Sequence, residues 1–111
     1  MVNSAEALDR TFRALADPTR RSMLRTLASG PATISELAEP LPMSLVAASK
    51  HVSVLEQAGL LTRRRAGRAQ RCTLAAGPMA EAAAWLDSYR TFWTDRLDAL
   101  ERHLDEQARE E

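Results

Sequence analysis

Proline and glycine decide most of what the first sixty residues of this chain can become. Asp17-Pro18, Gly30-Pro31, the pair Pro40 and Pro42, and Gly59 each interrupt a helical pattern. Proline removes a backbone donor and turns the preceding residue away from helical geometry, while glycine readily closes a helix end. The chain must therefore be a set of short helices joined by tight turns. Ala5 to Ala16 reads as the first, with Leu8, Phe12 and Leu15 on one stripe at the i, i+4, i+7 spacing. Asp17 is suited to cap the second helix and Pro18 to open it. Met23, Leu24 and Leu27 are its inner face, Arg20 and Arg21 are expected on its outer side, and it ends near Ser29.

Thr33-Ile34-Ser35-Glu36 is a capping box, in which the hydroxyl and the Glu each satisfy a free amide at a helix start. The helix it opens is short, with Ile34, Leu37 and Ala38 inward, because Pro40 and Pro42 forbid extension. Ser44 caps the next helix, predicted over 44–58, with Ala48, Val52 and Leu55 toward the core and Gly59 ending it. A short helix, a tight turn and a longer helix make a helix-turn-helix pattern. The outer face of the longer helix carries Leu45, Val46, Ser49, Lys50 and Ser53, and its small side chains would let it approach base edges in a major groove.

Two strand-like runs, Leu60-Leu61-Thr62 and Cys72-Thr73-Leu74, flank a basic tip at Gly67 and predict a hairpin wing over 60–74. From about Gly77-Pro78 to Glu106 one long helix is expected. Leu86, Tyr89, Trp93, Leu97, Leu100 and Leu104 are three or four apart along it, and Trp85 and Phe92 widen the stripe. That stripe exceeds what a small domain needs internally, so part of it is expected to pair with a second subunit. The expected fold is mainly α with a small β-hairpin wing, in the order α-α-α-α-β-β-α. One domain spans 1–106, and 107–111 is a frayed tail.

Charge sharpens this reading. Fifteen basic and fifteen acidic residues cancel over 111 positions, yet their distribution is uneven. Between Ser44 and Leu74, Lys50, Arg63, Arg64, Arg65, Arg68 and Arg71 face one acid, Glu56; after Leu74 acids outnumber arginines nine to four. A neutral chain that gathers its cations on one helix and one hairpin points to a polyanion, double-stranded DNA. Cys72 is the only cysteine, so neither an intrachain disulfide nor a thiolate cage within one chain is available. No apolar run approaches a membrane span and no signal-peptide pattern opens the chain, so a cytoplasmic protein without a membrane partner is expected. No nucleophile–base pairing, carboxylate dyad or phosphate loop is evident, which argues against an enzyme.

The runs ALADPTRRSMLRTLASGPATISELA and MSLVAASKHVSVLEQAGLL, with the basic wing after them, resemble the ArsR/SmtB family of bacterial repressors. The similarity extends from about Ala5 to Leu74, and RTFWTDRLDALERHL resembles the tail of one branch. The resemblance implies a homodimeric winged helix-turn-helix repressor on an inverted-repeat operator. Its first and last helices (5–16 and 78–106) would dimerise through Leu8, Phe12, Leu86, Tyr89, Trp93, Leu97 and Leu100. Its DNA-reading residues would be Ser44, Leu45, Val46, Ser49, Lys50, His51 and Ser53, with Arg64, Arg65, Arg68 and Arg71 as wing contacts.

Several positions depart from the family pattern. Leu45 stands where Gln is frequent, which exchanges a hydrogen-bond donor for a side chain suited to a thymine methyl. Pro40 and Pro42 occupy the turn. Thr33, Ile34 and Ser35 fill the places of a metal-binding Cys-Val-Cys, and His103 stands alone on the last helix without an Asp-X-His. No metal or other cofactor is therefore expected, and nothing in the residues names a small-molecule inducer. His51 reads as a phosphate contact, as a pH-sensitive switch, or as a hydrogen-bonded wedge between the recognition helix and the core. Two alternatives stay open: a sensor repressor answering to a ligand or to Cys72 oxidation, and a winged-helix module that docks another protein.

Overall fold

The computed structural model describes residues 4–110. Its elements are α1 (Ser4–Leu15), α2 (Pro18–Ala28), β1 (Ala32–Thr33), α3 (Ile34–Ala38), α4 (Leu45–Gln57), β2 (Leu61–Ala66), β3 (Ala69–Leu74), α5 (Gly77–Asp87) and α6 (Arg90–Glu110). This is a winged helix-turn-helix, with α3 and α4 as the paired helices and β2–β3 as the wing.

Local chemistry sets most boundaries. The Asp17 carboxylate accepts the amides of Thr19 (2.8 Å) and Arg20 (3.2 Å) to start α2. The capping box at α3 is complete, Glu36 N to Thr33 Oγ1 and Thr33 N to Glu36 Oε1 both at 3.1 Å. Ser44 Oγ takes the Ala47 amide at the head of α4. At its end the Leu60 amide reaches Leu55 O and the Gly59 amide reaches Glu56 O, both 2.9 Å, with Gly59 at φ 77°. That is a Schellman closure, and its apolar pair, Leu55 and Leu60, is fully buried. The core gathers Met23, Leu24 and Leu27 from α2, Leu37 from α3, Ala48, Val52 and Leu55 from α4, and Leu61 and Cys72 from the hairpin.

Four expectations need correction. First, Ala32 and Thr33 form a strand: they pair antiparallel with Cys72 and Arg71 and make a three-stranded sheet in the order β1-β3-β2. Two residues are too few to leave a periodic signal, so only the partner strand discloses them. Second, the long final helix is two helices. The amide of Ser88 donates to Ala84 O and Trp85 O, its hydroxyl donates to Trp85 O as well, and Tyr89 N reaches back only three residues to Leu86 O. A serine hydroxyl bonded back to a carbonyl of the preceding turn favours a bend there. Third, α6 continues to Glu110, so 107–110 is helical rather than frayed, as good helix formers such as Gln107, Ala108 and Arg109 allow; Glu111 lies outside the described residues.

The fourth concerns Arg20, which is half-buried against the end of α1; Arg21 is exposed as expected, though it too reaches back to α1. Arg20 Nε donates to Ala14 O (2.8 Å) and its Nη2 to Arg13 O (3.0 Å), while Arg21 Nη1 donates to Leu15 O (2.7 Å). The last carbonyls of a helix have no intrahelical donor, and cations there also meet the negative end of its dipole. One short run, Asp17 to Arg21, thus opens α2 and closes α1.

Helix α5 lies against α1, where Phe12 and Trp85 meet edge to face at 5.6 Å. No residue of α6 is buried. The chain extends 70 Å along its longest axis with a radius of gyration of 19.7 Å, against about 13 Å for a compact domain of this length.

Candidate nucleic-acid interface

The exposed side of α4 is set by its buried side. With Ala48, Val52 and Leu55 inward, Leu45 and Ser49 form one outward column and Val46 and Lys50 the next. Leu45 and Val46 are exposed, Lys50 is exposed and Ser49 half-buried. Ser44 is spent on the helix start but remains exposed. Two residues of this helix turn elsewhere. Ser53 Oγ accepts from Arg63 Nη2 at 3.0 Å, and His51 sets its Nδ1 3.3 Å from Arg20 Nη1. The half-buried His51 ring thus lies beside the arginine that closes α1.

The hairpin divides its arginines between two faces. The register pairs Arg63 with Cys72, Arg64 with Arg71 and Arg65 with Gln70. Side chains alternate along a strand, so Leu61, Arg63 and Arg65 share the α4-facing side and Arg64 and Arg71 the other. Arg63 is not free. Its Nε and Nη2 both donate to Glu56 Oε1 (3.1 and 2.9 Å), which raises the Arg63 pKa and lowers that of Glu56. This pair ties the wing's root to α4 and sets one cation against one anion, so that the two charges offset each other. What remains around the helix and wing is Lys50, Arg64, Arg65, Arg68 and Arg71, all exposed.

The tip is a two-residue turn, Gly67-Arg68, with Gly67 at φ 63° and no positive φ at Arg68. A positive φ at the first position and a negative one at the second is the pattern of a type II′ hairpin turn, which takes Gly first. Arg68 thereby leans over a cleft of about 160 Å³ between wing and helices, whose walls include Ser35, Leu45, Ser49 and Gln70. Gln70 was not singled out from the sequence. Its place opposite Arg65 would have followed only from fixing the register.

Cys72 is fully buried beneath the sheet, and desolvation pushes its thiol above the ordinary value. Such a thiol is poorly placed to react with an oxidant. Thr33, Ile34 and Ser35 lie at β1 and the start of α3. Among the described residues, no three His, Cys, Asp or Glu side chains gather as metal ligands, and no helix is long and apolar enough to cross a membrane.

The expected dimer residues fall in two groups. Leu8 and Phe12 are half-buried on α1, while Leu86, Tyr89, Trp93, Leu97 and Leu100 are 48–63% exposed along α5 and α6. Trp85, Phe92 and Leu104 extend the same apolar surface.

A capped recognition helix beside a cationic hairpin, on a helix-turn-helix, defines the class: a winged-helix DNA-binding protein. A helix-turn-helix domain family matches residues 15–64. The chain is 41% identical over 97 residues to the HTH-type transcriptional regulator Rv2034 of Mycobacterium tuberculosis, covering 87% of this chain and 88% of that one. The crystal structure of an ArsR family transcriptional regulator superposes with a TM-score of 0.77 at 40% identity, over 85% of this chain and 97% of the other. A homodimeric winged helix-turn-helix domain from Mycobacterium bovis, described as a possible ArsR-family regulator, matches with a TM-score of 0.62 at 26% identity, over 86% and 85%. The chain belongs to the ArsR/SmtB family of winged helix-turn-helix transcriptional regulators.

Proposed function

We propose that this regulator is a metal-independent repressor that binds an inverted-repeat operator as a homodimer in the bacterial cytoplasm, and acts by binding rather than by catalysis. The observation that carries this reading is the union of two surfaces, the outward columns of α4 and the exposed cations of the wing, on adjoining elements. Ser44, Leu45, Val46, Ser49 and Lys50 would face base edges. Arg64, Arg65, Arg68 and Arg71 would follow the phosphates, with the two faces of the hairpin meeting successive segments of backbone. His51 and Ser53 serve instead to hold α4 against α2 and the wing. Two protomers joined through α1, α5 and α6 would present their α4 helices to successive major grooves about 34 Å apart.

The test is operator binding followed by fluorescence anisotropy over a range of salt. Four wing arginines per protomer correspond to about eight phosphate contacts per dimer and a slope of log K against log salt near −7. Arg65→Ala with Arg68→Ala removes four of those charges and should make the slope shallower by about four, with a large loss of affinity. An unchanged slope would remove the wing from the interface.

A further inference from the structure

Leu45 and Val46 occupy the first turn of α4 and are 53% and 68% exposed. The same helix sends Ala48, Val52 and Leu55 into the core at full burial, so it is not short of room for apolar groups. Two adjacent branched side chains have been left in water at the advancing end of the recognition helix. A single exposed leucine needs no explanation, but these two are not scattered. Their columns continue one turn on as Ser49 and Lys50, and Leu45 shares its cleft with Arg68 and Gln70. The apolar spot is therefore rimmed by cations.

A surface that is apolar at its centre and cationic at its rim fits a partner that is apolar at its centre and anionic at its edges. The DNA major groove has phosphates along both edges, and the thymine C5-methyl is the apolar group on its floor. Leu45 and Val46 side chains neither donate nor accept hydrogen bonds. Against guanine, cytosine or adenine they would cover a polar edge without pairing it, which costs binding energy. Against thymine they bury a methyl. We infer that Leu45 and Val46 determine operator specificity by reading thymine methyl groups, so that each half-site carries thymine beneath the first turn of α4. This deepens the operator-binding reading above and rests on it.

The experiment begins with selection of a duplex from a random pool of about 30 base pairs, about three helical turns. The selected duplex is then resynthesised with deoxyuridine in place of thymine, one position at a time, which removes the methyl and nothing else. The expected result is a loss confined to one or two positions per half-site, about fourfold for one half-site and about fifteenfold for both. The Leu45→Ala, Val46→Ala double variant, whose changes lie outside the core, should bind the thymine and uracil duplexes alike. Lys50→Ala should bind both more weakly yet keep the discrimination. Equal binding of every uracil duplex by the unaltered protein overturns the inference while leaving operator binding intact, as does an undiminished uracil effect in the double variant. A pool that yields no preferred duplex overturns the operator reading itself, and this inference with it.

Discussion

Asp17 stands where α1 gives way to α2, and its carboxylate takes two amides of the new helix. Burial alone would raise its pKa. The Arg20 and Thr19 amides and the Arg20 and His51 side chains outweigh that and hold it below the ordinary 3.8. The Arg63 hydrogen bond depresses Glu56 in the same direction, and bonds from Thr33 depress Glu36, each below 4.5. A carboxyl with a depressed folded pKa contributes stability that is complete above its unfolded pKa and lost as pH falls through the folded value. Urea midpoints should therefore stay level from neutral pH to about 5 and fall below about 4. Asp17→Asn keeps a capping oxygen but removes the charge, and should make that acid fall shallower. Asp17→Ala should cost about 1 kcal/mol at neutral pH, the usual toll for a lost N-cap.

Two glycines test the elements separately. Gly59 ends α4 at φ 77°, and a Cβ there would sit 3.3 Å from Pro78 Cγ, at the head of α5. Gly67 turns the wing at φ 63° with open space around it. Gly67→Ala should cost about 1–2 kcal/mol from backbone strain alone. Gly59→Ala should cost more, because the Pro78 ring must also give by a few tenths of an ångström; equal losses in chemical denaturation would show that Pro78 yields freely. The wing carries a second tension, since Arg64 and Arg71 are directly opposed across the strands. Like charges in that position destabilise a hairpin. Arg64→Glu should stabilise the free protein by a few tenths of a kcal/mol, up to about 1 kcal/mol, while weakening DNA binding. A variant that gained stability and kept its affinity would show that Arg64 lies off the DNA.

At the scale of the molecule, the dominant fact is apolar surface without a cover. Trp85, Leu86, Tyr89, Phe92, Trp93, Leu97, Leu100 and Leu104 are each 45–63% exposed along α5 and α6. Trp93, Leu97, Leu100 and Leu104 recur at alternating spacings of four and three, the seam of paired helices. An exposed patch of this extent marks an interaction site. Leu97→Asp, at an exposed position outside the core, should leave the winged domain folded and convert a dimer to single chains in sedimentation equilibrium. Operator affinity should fall with it, since each half-site would then bind alone. A variant that still sedimented as a dimer would move the interface elsewhere.

The short-range chemistry was legible from the residues. Asp17, Thr33, Ser44 and Gly59 are residue types whose own side chains or backbone freedom start or stop a helix, and each does so where expected. The buried face of α4 followed from its period, and the charge excess between Ser44 and Leu74 pointed to the DNA-binding class. Register and distant partners decided the rest. β1 exists because β3 lies beside it, and Arg63 is tied to α4 because Glu56 and Ser53 are within reach. Arg20 turns inward because α1 ends with open carbonyls, and Cys72 is buried because β3 turns it toward the core. Local sequence fixes what a residue can bond. Only the packed fold fixes which of its possible partners is near enough to take the bond.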